Sequence, residues 1–294
     1  MALEKDRSSK VRRKGSVARK SHPGLPGPKT LDLVDVFLFL ADARIPWTTR
    51  KLAEPYLTKT RRIYVLTKPD MANPEETERW VKAFADRGEL AFPVDCKTGS
   101  GLKDLLARLG EERDRILEKQ AAGELARPLR LMLFGVPNVG KSSLANRLLG
   151  SQKAPFGARP GLTRGSNWLK GKGYLMVLDT PGVLDTSVVK GEAKMKLAAS
   201  WALPENAYDV QDVAVYLASR LPGVKDPVAY IEEFGRGRGF LASGGAVEFE
   251  RASKGVLQAF REGRLGRITL EKPEDFPEFG GAREPNGKET GEKP

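Results

Sequence analysis

The chain has 294 residues, with 50 Lys+Arg against 38 Asp+Glu and a formal net charge of +12. The absence of any run of 18 apolar residues excludes a helical membrane span; one cysteine, Cys96, excludes an intrachain disulfide framework, and one histidine, His22, excludes a multi-histidine metal site. What remains is a soluble, cytoplasmic protein of a reducing compartment, with no membrane partner and a charge that favours an acidic polymer.

In chain order, residues 1–30 come first, with nine Lys/Arg and two Asp/Glu. The run Lys10-Val11-Arg12-Arg13-Lys14 lacks apolar periodicity, and Pro23, Pro26 and Pro28 follow it. This reads as a disordered basic arm suited to touching phosphates. Glu4 and Asp6 argue against a mitochondrial transit peptide. Short apolar runs bounded by turn residues then predict buried strands over 36–41, 63–66, 90–94, 129–134 and 174–178. Asn73-Pro74 is an N-cap followed by proline at the first helical position, and it opens a helix carrying Trp80, Val81 and Phe84 on one face. A second helix is expected over 102–118, and a third after residue 143. Strands alternating with helices predict a mainly parallel sheet with helices on both faces. Beyond about Asp185 the runs turn helical, over 209–221, 226–234 and 249–264. The division predicted is a disordered arm (1–30), an α/β domain (31–190), a smaller all-helical domain (191–271) and a disordered tail (272–294).

The strongest motif is Gly135-Val136-Pro137-Asn138-Val139-Gly140-Lys141-Ser142, an ungapped GxxxxGK[ST] between an expected strand and an expected helix. Its glycines let backbone N–H groups close around a phosphate, and the helix N-terminus adds positive potential. Lys141 would reach the β- and γ-phosphates and Ser142 would ligate Mg²⁺. Asp179-Thr180-Pro181-Gly182 follows the strand at 174–178, where an acid lies on the ligand side of a parallel sheet. Asp179 can hold Mg²⁺ through water, and the Gly182 N–H can meet a γ-phosphate. Between them, Thr163 offers a hydroxyl to the same Mg²⁺. Thr67-Lys68-Pro69-Asp70 follows the strand at 63–66. A carboxylate at Asp70 could accept both N1–H and N2–H of guanine and leave adenine unpaired, with the Lys68 stem along the purine. Asp95-Cys96-Lys97 would offer a backbone N–H to guanine O6.

At these residues the sequence resembles a GTPase. The base motifs precede the phosphate motifs, which is the order of the circularly permuted GTPases. Asp42-Ala43-Arg44-Ile45-Pro46 resembles the DAR signature of the ribosome biogenesis GTPase A (YlqF/RbgA) family, and the resemblance extends over about residues 31–271. The fold class expected is therefore a circularly permuted P-loop GTPase domain followed by a helical domain.

The resemblance implies GTP/GDP and Mg²⁺ as ligands, K⁺ as a possible activator, and a monomer that binds the large ribosomal subunit through its rRNA, with the helical domain (191–271) as the RNA-binding part. It implies nucleotide contacts from Thr67, Lys68, Asp70, Asp95, Cys96, Lys97, Pro137, Asn138, Val139, Gly140, Lys141, Ser142, Ser143, Thr163, Asp179 and Gly182. Of these, Ser142, Thr163 and Asp179 would bind metal, and Lys141, Thr163, Gly182 and Asn138 would act in hydrolysis, Asn138 by holding K⁺.

Several positions depart from the family pattern. Val183 stands where many GTPases place a water-orienting glutamine, so turnover should be slow. Ser16 falls where the family carries a motif histidine, and His22 does not inherit that role. Thr67 replaces Asn, which removes an amide contact to the nucleotide. Two other functions stay open beside the assembly GTPase: a nucleotide-gated rRNA-binding module with very weak hydrolysis, and a small-molecule P-loop kinase. The kinase leaves Asp70 unexplained.

Overall fold

The structure, a computed structural model, describes residues 28–53, 61–120, 125–150, 168–178 and 189–279. The chain begins there with a short helix, α1 (Pro28–Leu31), so the last residues assigned by composition to the arm already enter the fold. Next come β1 (Val36–Asp42), α2 (Pro46–Ala53), β2 (Arg61–Thr67), α3 (Pro74–Ala85), β3 (Leu90–Val94), α4 (Leu102–Leu117), β4 (Leu129–Phe134) and α5 (Lys141–Leu149). A short antiparallel pair follows, β5 (Trp168–Lys170) and β6 (Leu175–Leu178). The chain then becomes helical, with α6 (Gly191–Ala199), α7 (Val210–Ser219), α8 (Pro227–Gly237) and α9 (Phe249–Arg261).

The sheet order is β3-β2-β1-β4-β6-β5, parallel except for the β5 edge. β1 is buried along its whole length because it lies at the centre, with sheet neighbours and helices on every side. Side chains alternate between two cores. Val36, Leu38, Leu40, Ile63, Val65, Leu131 and Leu133 face α4 and α5. Phe37, Phe39, Tyr64, Leu66, Met132 and Phe134 face Trp47 of α2 and Trp80 and Phe84 of α3. The first core continues without a break into Val213, Leu217, Ile231, Val256 and Phe260 of the helical bundle. Among the described residues no helix is long and apolar enough to cross a membrane.

Local signals explain most of these elements. Asn73 Oδ1 accepts from the Glu76 N–H (3.1 Å) and Pro74 opens α3. Asp209 caps α7 through the Gln211 and Asp212 N–H groups, at 2.8 and 3.0 Å. Asp226 caps α8, with Pro227 at its first position.

Other elements carry no such cap. α6 starts at Gly191 without a side-chain cap. β5 is a three-residue edge. α2 is capped from far away: the Trp47 and Thr48 N–H groups donate to Glu271 Oε2 at 2.8 and 3.1 Å.

That cap belongs to a C-terminal strap, which corrects the reading of 272–279 as tail. The Ile268 N–H donates to the Met71 C=O (3.0 Å), the Leu270 N–H to the Arg44 C=O (2.8 Å), and Trp80 Nε1 to the Glu271 C=O (2.9 Å). Phe276 and Phe279 then pack on Trp47 and Trp80, with ring centroids 4.8 to 5.9 Å apart. Proline and acids dominate the composition of 272–279, but two phenylalanines partly buried on distant tryptophans outweigh them.

Candidate nucleotide site

The chain visits β1, β2 and β3 on one side of the sheet, then β4 and β6 on the other, so the strand order reverses between β1 and β4. In open parallel sheets the crevice at the carboxyl ends of the strands at such a reversal is where ligands bind. Asp42 ends β1, Thr67 ends β2, Val94 ends β3 and Phe134 ends β4, so the base and phosphate motifs converge on one edge.

The phosphate loop runs from Gly135 to Lys141. Gly135 has φ 159°, and a Cβ there would stand 2.8 Å from the Leu40 carbonyl oxygen, so only glycine lets this loop leave β4 against β1. α5 starts at Lys141, and its first internal bond is from the Leu144 N–H to the Gly140 C=O (3.0 Å). The N–H groups of Lys141, Ser142 and Ser143 precede that bond and have no partner within the helix, as an anion-binding terminus requires. Lys141 Nζ donates to the carbonyls of Gly135 (3.0 Å) and Val136 (2.6 Å), which keeps the ammonium inside the loop. Burial, with the nearby Lys68 charge, pushes its pKa down to about 8. Ser142 and Ser143 are exposed in the first turn, and Pro137 is half-buried. Val139 is buried and anchors the loop.

Asn138 sits in the left-handed region (φ 56°), and its Nδ2 donates to the Trp201 C=O (2.7 Å), just beyond α6. In this arrangement the amide nitrogen faces the helical region, and a cation would have to use the oxygen.

On the base side, Thr67 Oγ1 donates to the Val139 C=O (2.5 Å). The threonine that stands in place of asparagine therefore links β2 directly to the phosphate loop. Lys68 is also left-handed (φ 57°), and its Nζ pairs with Asp42 Oδ2 (2.9 Å). Asp70 Oδ2 accepts from Lys97 Nζ (2.9 Å), so the two base loops already touch.

Asp95 does not present a free carboxylate. Its Oδ1 accepts from the Lys97 N–H (2.7 Å) and its Oδ2 from the Thr98 hydroxyl (2.6 Å). Burial pushes the Asp95 carboxyl up, but these hydrogen bonds hold it below the ordinary carboxylate range. Its role is to fold the loop, which Gly101 then closes: a Cβ there would lie 1.9 Å from the Pro93 carbonyl oxygen. Burial, with the Asp95 charge beside it, pushes the Cys96 thiol up to about 11, so the side chain is inert and its backbone is what the site can use.

Two connections have no signature in the sequence. Arg147 on α5 donates through Nε to the Cys96 C=O (2.8 Å) and through Nη2 to the Lys97 C=O, which ties the phosphate helix to the second base loop. Asp42 and Arg44 join the first base loop to α9. Both lie across long chain separations, where no local pattern marks the partner.

Among the described residues the edge therefore gathers Thr67, Lys68, Asp70, Asp95, Cys96, Lys97 and residues 135–143. Thr163, Asp179, Gly182 and Val183 lie outside the described residues. Also among the described residues, no cluster of His, Cys, Asp and Glu is large enough to hold a metal ion alone. This donor set could fit Mg²⁺ only as a shared ion, to which the exposed Ser142 hydroxyl could offer one oxygen and a nucleotide others.

Residues 130–237 match a family described as 50S ribosome-binding GTPase. Over 270 residues the chain is 33% identical to Ribosome biogenesis GTPase A of Bacillus cereus, covering 84% of this chain and 90% of that protein. It is 30% identical over 250 residues to the protein of the same name from Thermotoga maritima, covering 84% and 89%. Among solved structures it is similar to GDP-bound TM YlqF, with TM-score 0.66, 28% identity and coverage of 84% of this chain and 98% of that one. It is also similar to GNP-bound YlqF from T. maritima, with TM-score 0.58, 26% identity and coverage of 84% and 97%. The permuted order of the motifs, their convergence on one sheet edge and these likenesses agree: the chain belongs to the ribosome biogenesis GTPase A family.

Proposed function

We propose that this protein is a GTP-hydrolysing assembly factor for the large ribosomal subunit, which binds rRNA in its GTP state and leaves after hydrolysis. The observation that carries the reading is the link between nucleotide edge and helical unit. β6 ends at Leu178 and α6 begins at Gly191, so the segment bearing Asp179 and Gly182 runs directly from one to the other. A γ-phosphate that orders this segment would shift α6, and with it the surface offered to RNA.

In hydrolysis the residues act by placement and charge. Thr67, Lys68, Asp70 and the Asp95–Lys97 backbone hold guanine. The first-turn N–H groups of α5 and the Lys141 ammonium hold the phosphates. Mg²⁺, when bound, neutralises phosphate charge, with Ser142, Thr163 and Asp179 as its protein ligands. K⁺ beside Asn138 would add to that neutralisation. Valine at 183 cannot orient water, so the ribosomal subunit is expected to raise a slow basal rate.

The charge is unevenly shared. Residues 191–271 hold eleven Lys/Arg and eleven Asp/Glu, whereas residues 31–190 hold 26 and 19. Between 141 and 170 stand six Lys/Arg and no acid. Long-range attraction to RNA thus comes from the arm and the GTPase unit. The helical unit contributes shape and stacking: the exposed stretch 236–246 carries Arg238 over the Phe234 ring (4.3 Å), and Arg251 lies over Phe240 (4.8 Å).

Co-sedimentation with large subunits tests the reading. Retention with a non-hydrolysable GTP analogue and release with GDP is expected; equal retention would sink the GTP-state claim. Deleting residues 1–20 should flatten the salt dependence of retention and leave basal turnover unchanged. A second reading, an RNA-binding switch with little hydrolysis, is favoured by Val183 and by Ser16 in place of the motif histidine. Multiple-turnover assays in K⁺ buffer decide between them, because absence of stimulation by large subunits would favour the switch.

A further inference from the structure

Asp42 and Arg44 are 2% and 1% exposed, which is unusual for charged side chains. Buried charges persist where their partners compensate for lost water. Both Asp42 oxygens are engaged. Oδ1 accepts from the Arg44 N–H (3.1 Å) and Nε (2.9 Å), and Oδ2 accepts from Arg44 Nη2 (2.8 Å) and Lys68 Nζ (2.9 Å). Burial pushes this carboxyl up, but the Arg44 guanidinium and Lys68 ammonium together hold it well below the ordinary carboxylate range. The far side of the guanidinium is engaged too: Nη1 donates to the Phe260 C=O (3.0 Å) near the end of α9, and the group lies 4.6 Å from the centre of the Phe260 ring.

Lys68 is the member of this chain that reaches the nucleotide edge. Its left-handed backbone is uncommon for lysine. Its stem is long, and a free ammonium would sample many rotamers. Pinning the tip on Asp42 holds the stem as a wall.

We infer that Asp42, clamped by Arg44, is a positioning residue for the base site: it sets the Lys68 stem against the purine and ties that setting to the end of α9. This rests on the placement of guanine over Lys68 and Asp70 given above. A ligand that carries a base would feel the loss of Asp42, and one that carries only phosphates would not.

The test is binding of GDP and of inorganic tripolyphosphate to the full chain. The proteins are the wild type, Asp42→Asn, Arg44→Lys, Lys68→Met and the double variant Asp42→Asn/Lys68→Met. Asp42→Asn is expected to weaken GDP about tenfold and leave tripolyphosphate unchanged. On the Lys68→Met background Asp42→Asn should have no further effect, because the two act through one contact. The inference is overturned if Asp42→Asn weakens both ligands alike, weakens neither, or repeats its full loss on the Lys68→Met background. Lys68→Met weakening GDP while Asp42→Asn does not would overturn the inference alone. Full GDP affinity in Lys68→Met would remove the base placement itself, and the inference with it. Should Asp42→Asn fail to fold, Arg44→Lys keeps a cation beside Asp42 but loses its fork, and the same selective loss of GDP is expected from it.

Discussion

Both nucleotide-facing loops reach the helical region, and they do so by different physics. The base loop is tied through Lys68, Asp42, Arg44 and the Phe260 carbonyl, a chain in which Asp42 and Arg44 are buried and which holds three formal charges. Among the described residues the phosphate loop is tied by an exposed hydrogen bond, from Asn138 Nδ2 to the Trp201 C=O. A buried ion-pair network is costly to break because each lost partner strands a charge out of water. An exposed hydrogen bond exchanges with water for little. The base-side tie is therefore costly to break and the phosphate-side tie is cheap to exchange.

Three measurements would break or sharpen that contrast. The largest effect belongs to Arg44→Ala. It strips Asp42 of its guanidinium and removes one of the donors to the Phe260 carbonyl, which keeps the Gly263 N–H (3.1 Å), and should lower unfolding free energy by about 3 kcal/mol. Urea denaturation reads it, and a loss under about 1 kcal/mol would mean the buried network contributes no more than a surface pair.

The next effect concerns Lys141, whose pKa stands at about 8 before phosphate arrives. A bound phosphate favours the charged form and raises that pKa. Binding above pH 8 then takes up a proton, and affinity falls as pH rises. GDP affinity should be nearly flat up to pH 7.5 and about tenfold weaker one unit above pH 8. Calorimetry in buffers of different ionisation heat should detect the proton uptake. An affinity that stays level to pH 9.5 would contradict the burial argument.

The smallest effect is that of Asn138→Ala, expected to cost under about 1 kcal/mol of stability. If K⁺ uses the same residue, this variant should lose the K⁺ dependence of turnover while remaining fully folded. A stability loss matching that of Arg44→Ala would erase the distinction between the two ties.

The two loops also differ in how far they can be read along the chain. The phosphate loop is contiguous: nine residues, 135–143, carry the closely packed glycine, the lysine and the helix N-terminus. Its chemistry depends on backbone geometry that local residue types dictate. The strands read at 36–41, 63–66, 90–94, 129–134 and 174–178 appear within a residue or two of those bounds for a related reason, since buried parallel strands are short, mostly apolar runs. The base site is assembled from four separate segments. Lys68 and Asp70 could be named from spacing, but Arg147, which holds the Cys96 and Lys97 carbonyls, could not. Nor could the partners of Asp42. Asp95 could be placed in its loop, while its use as a folding residue depended on where Thr98 and the Lys97 N–H turned.

The ends of the chain show the same division. By itself the sequence determined the permuted α/β order, the phosphate loop, the cap of α3, the helical runs that became α7 and α8, and an excess of positive charge. The tertiary structure decided that Ile268 to Phe279 is a strap, that Glu271 caps α2 from 223 to 224 positions away, and that Lys68 is seated by an acid on the neighbouring strand. Caps, strands and phosphate loops arise from interactions within a few residues, which leave periodic or ordered patterns. Buried carboxylates and aromatic contacts between distant segments leave none, because their energy depends on which surfaces the fold brings together.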